Sequence, residues 1–183
     1  AGRGPLAGPV VAGAVVINSE EQVVPTVRDS KKMTVKKRLE AEEQIKASST
    51  AWGVGVVKAQ EIDRIGIQRA VLRAMQSALG SLTTALKSNP DYLIVDGKGV
   101  LMIQGYPMEK IKQGDLNHYS IAAASVLAKV ARDRLMGEYA TKFPEYGFEK
   151  HVGYGTKQHI EMLKLHGPCE IHRKSFSPVS SLV

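Results

Sequence analysis

The stretch AGRGPLAGPVVAGAVVI, residues 1–17, decides how the fold is read. Its first half is a glycine-rich loop in which Arg3 stands between Gly2 and Gly4. Its second half, Val10 to Ile17, is short, β-branched and interrupted by Gly13, the pattern of a buried strand. Closely spaced glycines let a backbone approach a ligand, because no Cβ stands in the way and a positive φ costs little. Arg3 adds a planar cationic fork suited to phosphate or ribose oxygens. A loop of this kind normally has a strand before it as well as after it. The first strand is therefore expected to be truncated where this sequence begins.

Working outward, strand and helix patterns alternate. Val23 to Val27 carries Pro25 and reads as an edge stretch at most. Thr34 is placed to cap a charged helix running to about Ala47. Ala51 to Gln60 alternates as a strand, and Glu61 to Gly66 reads as a helical turn. Ile67 to Leu86 reads as a helix with Ile67, Val71, Ala74, Met75, Ala78 and Leu82 on one face. Tyr92 to Val95 is a compact strand ending at Asp96-Gly97, and Lys98 to Gln113 holds one more short strand. Gly114-Asp115 leads into a long helix, Leu116 to Tyr139, whose alanine-rich middle, IAAASVLAKVARDRL, permits close packing against a sheet. His151 to Gly155 reads as a loop. Thr156 caps a helix that ends near His166, with Gly167-Pro168 as its stop. The tail from His172 has no strong period. Interleaved strands and helices make an α/β layered domain the expected class.

A chain of 183 residues can bury its own core as one domain. With 43% hydrophobic and 23% charged residues it is not a disordered chain. No apolar run approaches the ~18 residues that cross a bilayer, so no membrane role is expected. The single cysteine, Cys169, excludes an internal disulfide and fits a reducing, cytoplasmic compartment. Twenty-five Lys and Arg against 18 Asp and Glu give a net charge of +7, which favours a polyanionic partner. Nothing points to an obligate dimer, and a monomer is expected.

Asp96, at the C-terminal end of a buried strand and followed by glycine, points into the crevice where α/β sheets bind ligands. A turn aspartate bonding its own backbone fits the spacing equally well. Asp115, just before the long helix, is commonly a first-turn acid matched to the helix dipole. Paired with Asp96 across a cleft, it would instead supply carboxylate oxygens to a hard cation such as Mg²⁺. Asp133, inside the helix, reads as half of an ion pair. Ser30, Lys31 and Lys32 read either as a phosphate pocket or as a solvated charge run. Tyr154, between Gly153 and Gly155, is either a ring exposed for stacking on a sugar or base or a core tyrosine with glycine hinges. The histidines show no zinc spacing: His151 and His159 are eight apart, Cys169 and His172 three apart, with no second matching pair. Cys169 reads as an inert thiol.

Seven segments in order resemble bacterial ribonuclease HII, the type 2 ribonuclease H family: AGRGPLAGPVV at 1–11, DSKK at 29–32, VDG at 95–97, KQGD at 112–115, IAAASVLAKVARD at 121–133, HVGYGTKQH at 151–159 and HRKSFSPV at 172–179. The resemblance implies a ribonuclease H-like fold: a mixed central sheet flanked by helices, a catalytic core over about 1–140 and a C-terminal helical part over about 141–183. It implies endonucleolytic cutting of the RNA strand in RNA–DNA hybrids, and cutting on the 5′ side of single ribonucleotides in duplex DNA during replication and repair. Mg²⁺ or Mn²⁺ would be the cofactor. By resemblance, Gly2, Arg3 and Gly4 sense the ribose 2′-hydroxyl, and Tyr154 stacks on the next deoxyribose. Ser30 and Lys31 hold a backbone phosphate, and Asp96 and Asp115 are two of four metal-binding carboxylates.

One departure stands out. The family carries an Asp-Glu pair immediately before the alanine of the glycine loop, and this sequence begins at that alanine. The parent protein is expected to be an active ribonuclease HII, and residues 1–183 alone are expected to be inactive. Two alternatives stand beside that reading. One is a non-cleaving module that binds hybrid or ribonucleotide-containing duplex. The other is the sister type, ribonuclease HIII, disfavoured by the junction tyrosine and the GYGT match.

Overall fold

The computed structural model describes residues 1–27, 30, 32–97 and 102–182. Its layers are arranged around β1, Val10–Val16, which pairs antiparallel with β2, Ala51–Val57, with Val10 opposite Val57 and Val16 opposite Ala51. Successive side chains on a strand point to opposite faces, so this register divides the ladder into two faces. Ala12, Ala14, Gly53 and Gly55 face α3, Ile67–Leu86. Gly13, Val15, Trp52 and Val54 face α5, Tyr119–Lys142, and α1, Val35–Ser48.

Small residues set the spacing of these layers. A Cβ on Gly13 would lie 2.2 Å from the Ala124 carbonyl oxygen of α5, and one on Gly55 would lie 2.1 Å from the Ala74 carbonyl oxygen of α3. The alanine-rich middle of α5 thus lies directly on the ladder, as its composition predicts. The buried stripe of α3 is Ala70, Ala74, Ala78, Leu79 and Leu82, rotated slightly from the face read off the sequence; Val71 and Met75 lie at its margin.

A second ladder pairs β3, Leu93–Asp96, in parallel with β4, Met108–Ile111. The described strands thus form two separate two-stranded sheets, one antiparallel and one parallel, where the resemblance implied one mixed sheet. Leu93 and Met108 pack with Leu79 and Leu82 of α3 and with Ala14 and Val16 of β1, which ties the second ladder to the first. The segment 98–113 does hold one short strand, and it is β4.

Two predicted elements differ. Val23 to Val27 forms a turn, in which the Val27 N–H donates to the Val24 carbonyl and the Val24 N–H donates to the Tyr119 hydroxyl. The long helix predicted from Leu116 is broken at His118, whose backbone is extended (φ −129°, ψ 118°). Asp115 consequently lies in a separate one-turn helix, α4, Gly114–Asn117. A short α2, Ala59–Ile65, precedes α3.

The C-terminal part folds back over the glycine loop. It comprises α6, Phe148–His151, then α7, Lys157–His166, and an irregular tail. The Thr156 hydroxyl accepts from the His159 N–H at 3.3 Å, the expected cap. Phe148, Tyr146 and Ile171 pack on Met136 of α5 and on Ala7, while Leu163 and Val179 pack on Leu6. Among the described residues, no helix is long and apolar enough to cross a membrane.

Candidate active site

A cleft of about 830 Å³ is walled by β1, β3 and the N-terminal half of α5. It gathers Gly2, Arg3, Gly4, Ser30, Asp96, Asp115 and Tyr154, with Ser125, Lys129 and Arg132 from α5. Seven of the eight residues singled out from sequence therefore line one space. The eighth, Lys31, lies outside the described residues, as does Asp29.

The two carboxylates come from adjacent elements. Asp96 is the last residue of β3 and is exposed; its Oδ1 accepts from the Gly114 N–H at 2.9 Å. That bond joins the end of β3 to the first turn of α4, where the half-buried Asp115 follows Gly114. Their oxygens are hard donors of the kind Mg²⁺ and Mn²⁺ prefer, and one or two carboxylates plus water and substrate phosphate satisfy Mg²⁺. Among the described residues no third acid, histidine or cysteine joins them in a metal-binding cluster.

The glycine loop is held from beneath by two buried arginines. Arg173 donates to the carbonyls of Gly2 (2.6 Å), Arg3 (3.0 Å) and Gly8 (2.9 and 3.0 Å). Arg132 donates to Pro9 (3.0 Å), Ala7 (3.3 Å) and Val152 (2.9 Å). Burial, reinforced by the neighbouring Arg132 charge, pushes Arg173 down to about 10, and burial also lowers Arg132. Arg173, at about 10, keeps its charge at neutral pH. In a trans peptide the C=O and N–H point opposite ways. With the Gly2 and Arg3 carbonyls turned toward Arg173, the N–H groups of Arg3 and Gly4 point away from it. Neither makes an internal hydrogen bond among the described residues.

Gly2 is tightly required: its φ is +80°, and a Cβ would lie 2.2 Å from Arg132 Nε and 2.6 Å from the Pro9 oxygen. The loop is also bonded to its flanks. The Leu6 N–H donates to the Gly153 carbonyl at 2.8 Å, the Gly8 N–H to Ile171 at 2.9 Å, and the Arg173 N–H to Leu6 at 2.8 Å. Tyr154 is thereby placed beside the loop, 47% exposed, with the Arg132 guanidinium 6.0 Å from its ring centroid. Of the two sequence readings of Tyr154, the exposed ring is the one observed.

Ser30 lines the cleft but is nearly buried. Its Oγ lies 2.9 Å from Ser125 Oγ, and its carbonyl accepts from Arg38 at 2.9 Å. Asp133 is ion-paired with Lys129 at 2.5 Å and Arg38 at 3.7 Å, as predicted. Burial pushes the Cys169 thiol up to about 11, which keeps it protonated and unreactive at neutral pH. The supports of the loop, Arg132 and Arg173, escaped sequence reasoning. Arg132 had a readable signal: it stands midway between Ala128 and Met136 at helical spacing, and both of those are buried.

The ribonuclease HII family profile matches residues 1–179. The chain belongs to the ribonuclease HII family. It is 49% identical over 181 residues to a ribonuclease HII of Bacillus velezensis, covering 99% of this chain and 68% of that protein. It is 50% identical over 176 residues to one from Caldicellulosiruptor bescii, covering 96% and 82%. The crystal structure of ribonuclease H2 from Pyrococcus horikoshii superposes with a TM-score of 0.82 at 25% identity, covering all of this chain and 93% of that one. The ribonuclease H-like α/β fold implied by the sequence motifs is therefore the fold observed, and the family is one of ribonuclease H-type hydrolases.

Proposed function

We propose that the parent protein of this ribonuclease HII-family chain cuts the RNA strand of RNA–DNA hybrids and the 5′ side of single ribonucleotides in duplex DNA. The observation that carries the reading is the convergence in one cleft of the glycine loop, Tyr154 and the carboxylates Asp96 and Asp115. The 2′-hydroxyl is the only group separating ribose from deoxyribose at one site. The outward N–H groups of Arg3 and Gly4 can meet it, or the adjoining phosphate, without regard to the base. Tyr154 offers its exposed ring to the following deoxyribose. Ser30 and Lys31 hold a backbone phosphate. The positive charge of the exposed Arg3 at the cleft and the net +7 of the chain add sequence-independent, salt-dependent affinity.

Hydrolysis of the phosphodiester requires water to attack phosphorus in line with the departing O3′. The new P–O bond forms as the P–O3′ bond breaks, and the leaving oxygen takes a proton, giving a 3′-hydroxyl and a 5′-phosphate. Asp96 and Asp115 would hold Mg²⁺ or Mn²⁺, which when bound supplies charge stabilisation at the attacking and leaving oxygens. The bond from the Gly114 N–H fixes one oxygen of Asp96 and so sets how its carboxylate faces the cleft. The reading assigns a monomer acting in the cytoplasm, in ribonucleotide removal during replication and repair.

The test is cleavage by the parent protein, with residues 1–183 alone as the comparison that should not cut, of an end-labelled DNA duplex carrying one ribonucleotide, with Mg²⁺ and with EDTA. A metal-dependent cut 5′ of the ribonucleotide, with the all-DNA duplex intact, is the expected result. Equal cutting of both duplexes, or none with metal, would overturn the reading.

A further inference from the structure

Beneath the Tyr154 loop lie three buried histidines that the cleft does not use: His151 at the end of α6, His159 in the first turn of α7, and His172 in the tail. Their bonding assigns the proton on each ring. The Cys169 N–H donates to His172 Nδ1 at 3.0 Å, so that nitrogen carries the lone pair and Nε2 carries the proton. His172 Nε2 lies 3.0 Å from His159 Nε2, which must accept. His159 Nδ1 is then protonated and donates to the Tyr154 carbonyl at 2.9 Å. His151 accepts from the Gly153 N–H through Nδ1 at 3.2 Å and donates through Nε2 to the Tyr146 carbonyl at 2.9 Å. Its ring stacks on that of His159, centroids 4.4 Å apart. Every ring nitrogen is used, and this pattern of donors and acceptors holds only with neutral rings.

We propose that His151, His159 and His172 are positioning residues that set Tyr154 against the nucleic acid through the Gly153 N–H and the Tyr154 carbonyl, and that they do so only while all three rings are neutral. The inference rests on the reading of Tyr154 as the residue that stacks at the RNA–DNA junction. An added proton meets an N–H wherever it lands. At His172 Nδ1 it faces the Cys169 amide, at His159 Nε2 the His172 ring, and at His151 Nδ1 the Gly153 amide. Each placement breaks a bond to the Tyr154 loop or the chain of bonds behind it.

The other groups facing the cluster do not offset such a charge. Tyr146 stands 4.8 Å from His172 ring to ring, and Cys169 Sγ lies 3.1 Å from His172 Nδ1. Burial pushes the tyrosine up to about 12 and the thiol up to about 11, so both stay neutral. His166 reaches the Tyr146 ring, at 6.1 Å between centroids. Arg132 of α5, fixed and positive, holds the neighbouring Val152 carbonyl. Glu145 acts on Tyr146 and Cys169, and Glu170, paired to Lys142 at 2.6 Å, acts on Cys169; among the described residues no carboxylate is hydrogen-bonded or ion-paired to the three rings.

The test reads selectivity as the ratio of Kd values for an all-DNA duplex and the same duplex carrying one ribonucleotide. It uses fluorescence anisotropy on the parent protein in EDTA, so cleavage plays no part; KM and kcat are then measured on the same protein with Mg²⁺. His159→Leu should lower selectivity about tenfold and raise KM with little change in kcat, the scale of one stacking contact. His159→Asn, whose amide nitrogen can stand where Nδ1 stood, should recover most of the loss. Wild-type selectivity should hold from pH 7.5 to pH 5 and fall as the pH drops from 5 through about 4, whereas Tyr154→Ala should be low and flat throughout. Unchanged selectivity in His159→Leu and a flat wild-type profile, with Tyr154→Ala still impaired, would overturn the inference and leave the Tyr154 reading standing. Full selectivity in Tyr154→Ala would overturn the Tyr154 reading and the inference with it. Should circular dichroism show His159→Leu unfolded, the pH series on wild type and Tyr154→Ala decides alone.

Discussion

Asp96 and Asp115 stand in the cleft with one hydrogen bond joining their loops, whereas Gly2, Arg3 and Tyr154 rest on two buried guanidiniums and three buried imidazoles. The contrast matches what each part has to do. Carboxylates that exchange water and ions must stay open to solvent. A surface that distinguishes two duplexes by one hydroxyl gains only if its donors are already in place, because ordering them on binding would consume the small free energy available. The rigid part is also the expensive one to build, since Arg132 and Arg173 are buried against carbonyls with no carboxylate within ion-pair distance among the described residues. Damage to the two parts should therefore differ in kind.

The largest effect should come from Arg173→Met. The side chain keeps an apolar stem but leaves the Gly2, Arg3 and Gly8 carbonyls without their donor. At about 1–3 kcal/mol for each buried group left unpaired, the loss of stability should be about 3–5 kcal/mol, with ribonucleotide selectivity falling alongside it. Urea unfolding checks the first and anisotropy the second. A fully stable variant would mean that the loop is held by its backbone bonds alone. Asp96→Asn and Asp115→Asn should do the reverse. Each should slow cleavage by about 10²–10³-fold, the scale of removing one preorganised electrostatic group, while thermal unfolding moves by no more than about 0.5 kcal/mol, as for other solvent-accessible substitutions. Loss of the fold in either variant would erase the contrast between the two parts.

Acid should separate them again. Burial, with the neighbouring His159, lowers His172 from its ordinary 6.5 to about 4, and burial lowers His159 as well. Between those values the unfolded chain binds a proton that the folded one refuses. Stability is thus complete above pH 6.5 and falls as pH drops toward 4, by about 3 kcal/mol for the His172 ring. Glu42 does not confuse this window. Burial pushes its carboxyl up, but hydrogen bonds from Lys46 and Arg134 outweigh that and bring it below its ordinary 4.5. The urea midpoint measured at pH 7.5, 6 and 5 should fall stepwise, and a constant midpoint would refute the neutral-imidazole assignment.

Much of the carboxylate part could be read in the sequence, and little of what supports the loop. β1, β2, α3 and the caps at Thr34 and Thr156 follow from local periodicity and local hydrogen bonding. Asp96 follows from the end of a strand, and Asp115 from the start of a helix. The break at His118 carries no glycine or proline and was invisible. Arg173 joins residues 165 to 171 positions away, and the three histidines meet because the tail folds back across α6 and α7. Spacings that exclude a zinc site say nothing about rings that bond to one another. Of these long-range contacts, only the buried spacing of Ala128, Arg132 and Met136 left a mark on the sequence.

The smallest effects fall within the loop itself, where two glycines two residues apart should behave oppositely. A Cβ on Gly2 would sit 2.2 Å from Arg132 Nε, at a φ of +80°. That side chain cannot swing away, because it is pinned to Pro9, Ala7 and Val152. Gly2→Ala should therefore cost about 1–3 kcal/mol, as overpacking does. Gly4 is exposed, and a Cβ there would meet no atom within 4 Å. Gly4→Ala should leave stability within about 0.5 kcal/mol, yet its methyl would stand where the backbone must approach a ribose, and selectivity should drop about tenfold. Thermal unfolding and anisotropy on the two variants resolve the matter. If Gly4→Ala keeps full selectivity, the hydroxyl is read from elsewhere in the cleft; if it loses selectivity at unchanged stability, Gly2 serves the fold and Gly4 serves the substrate.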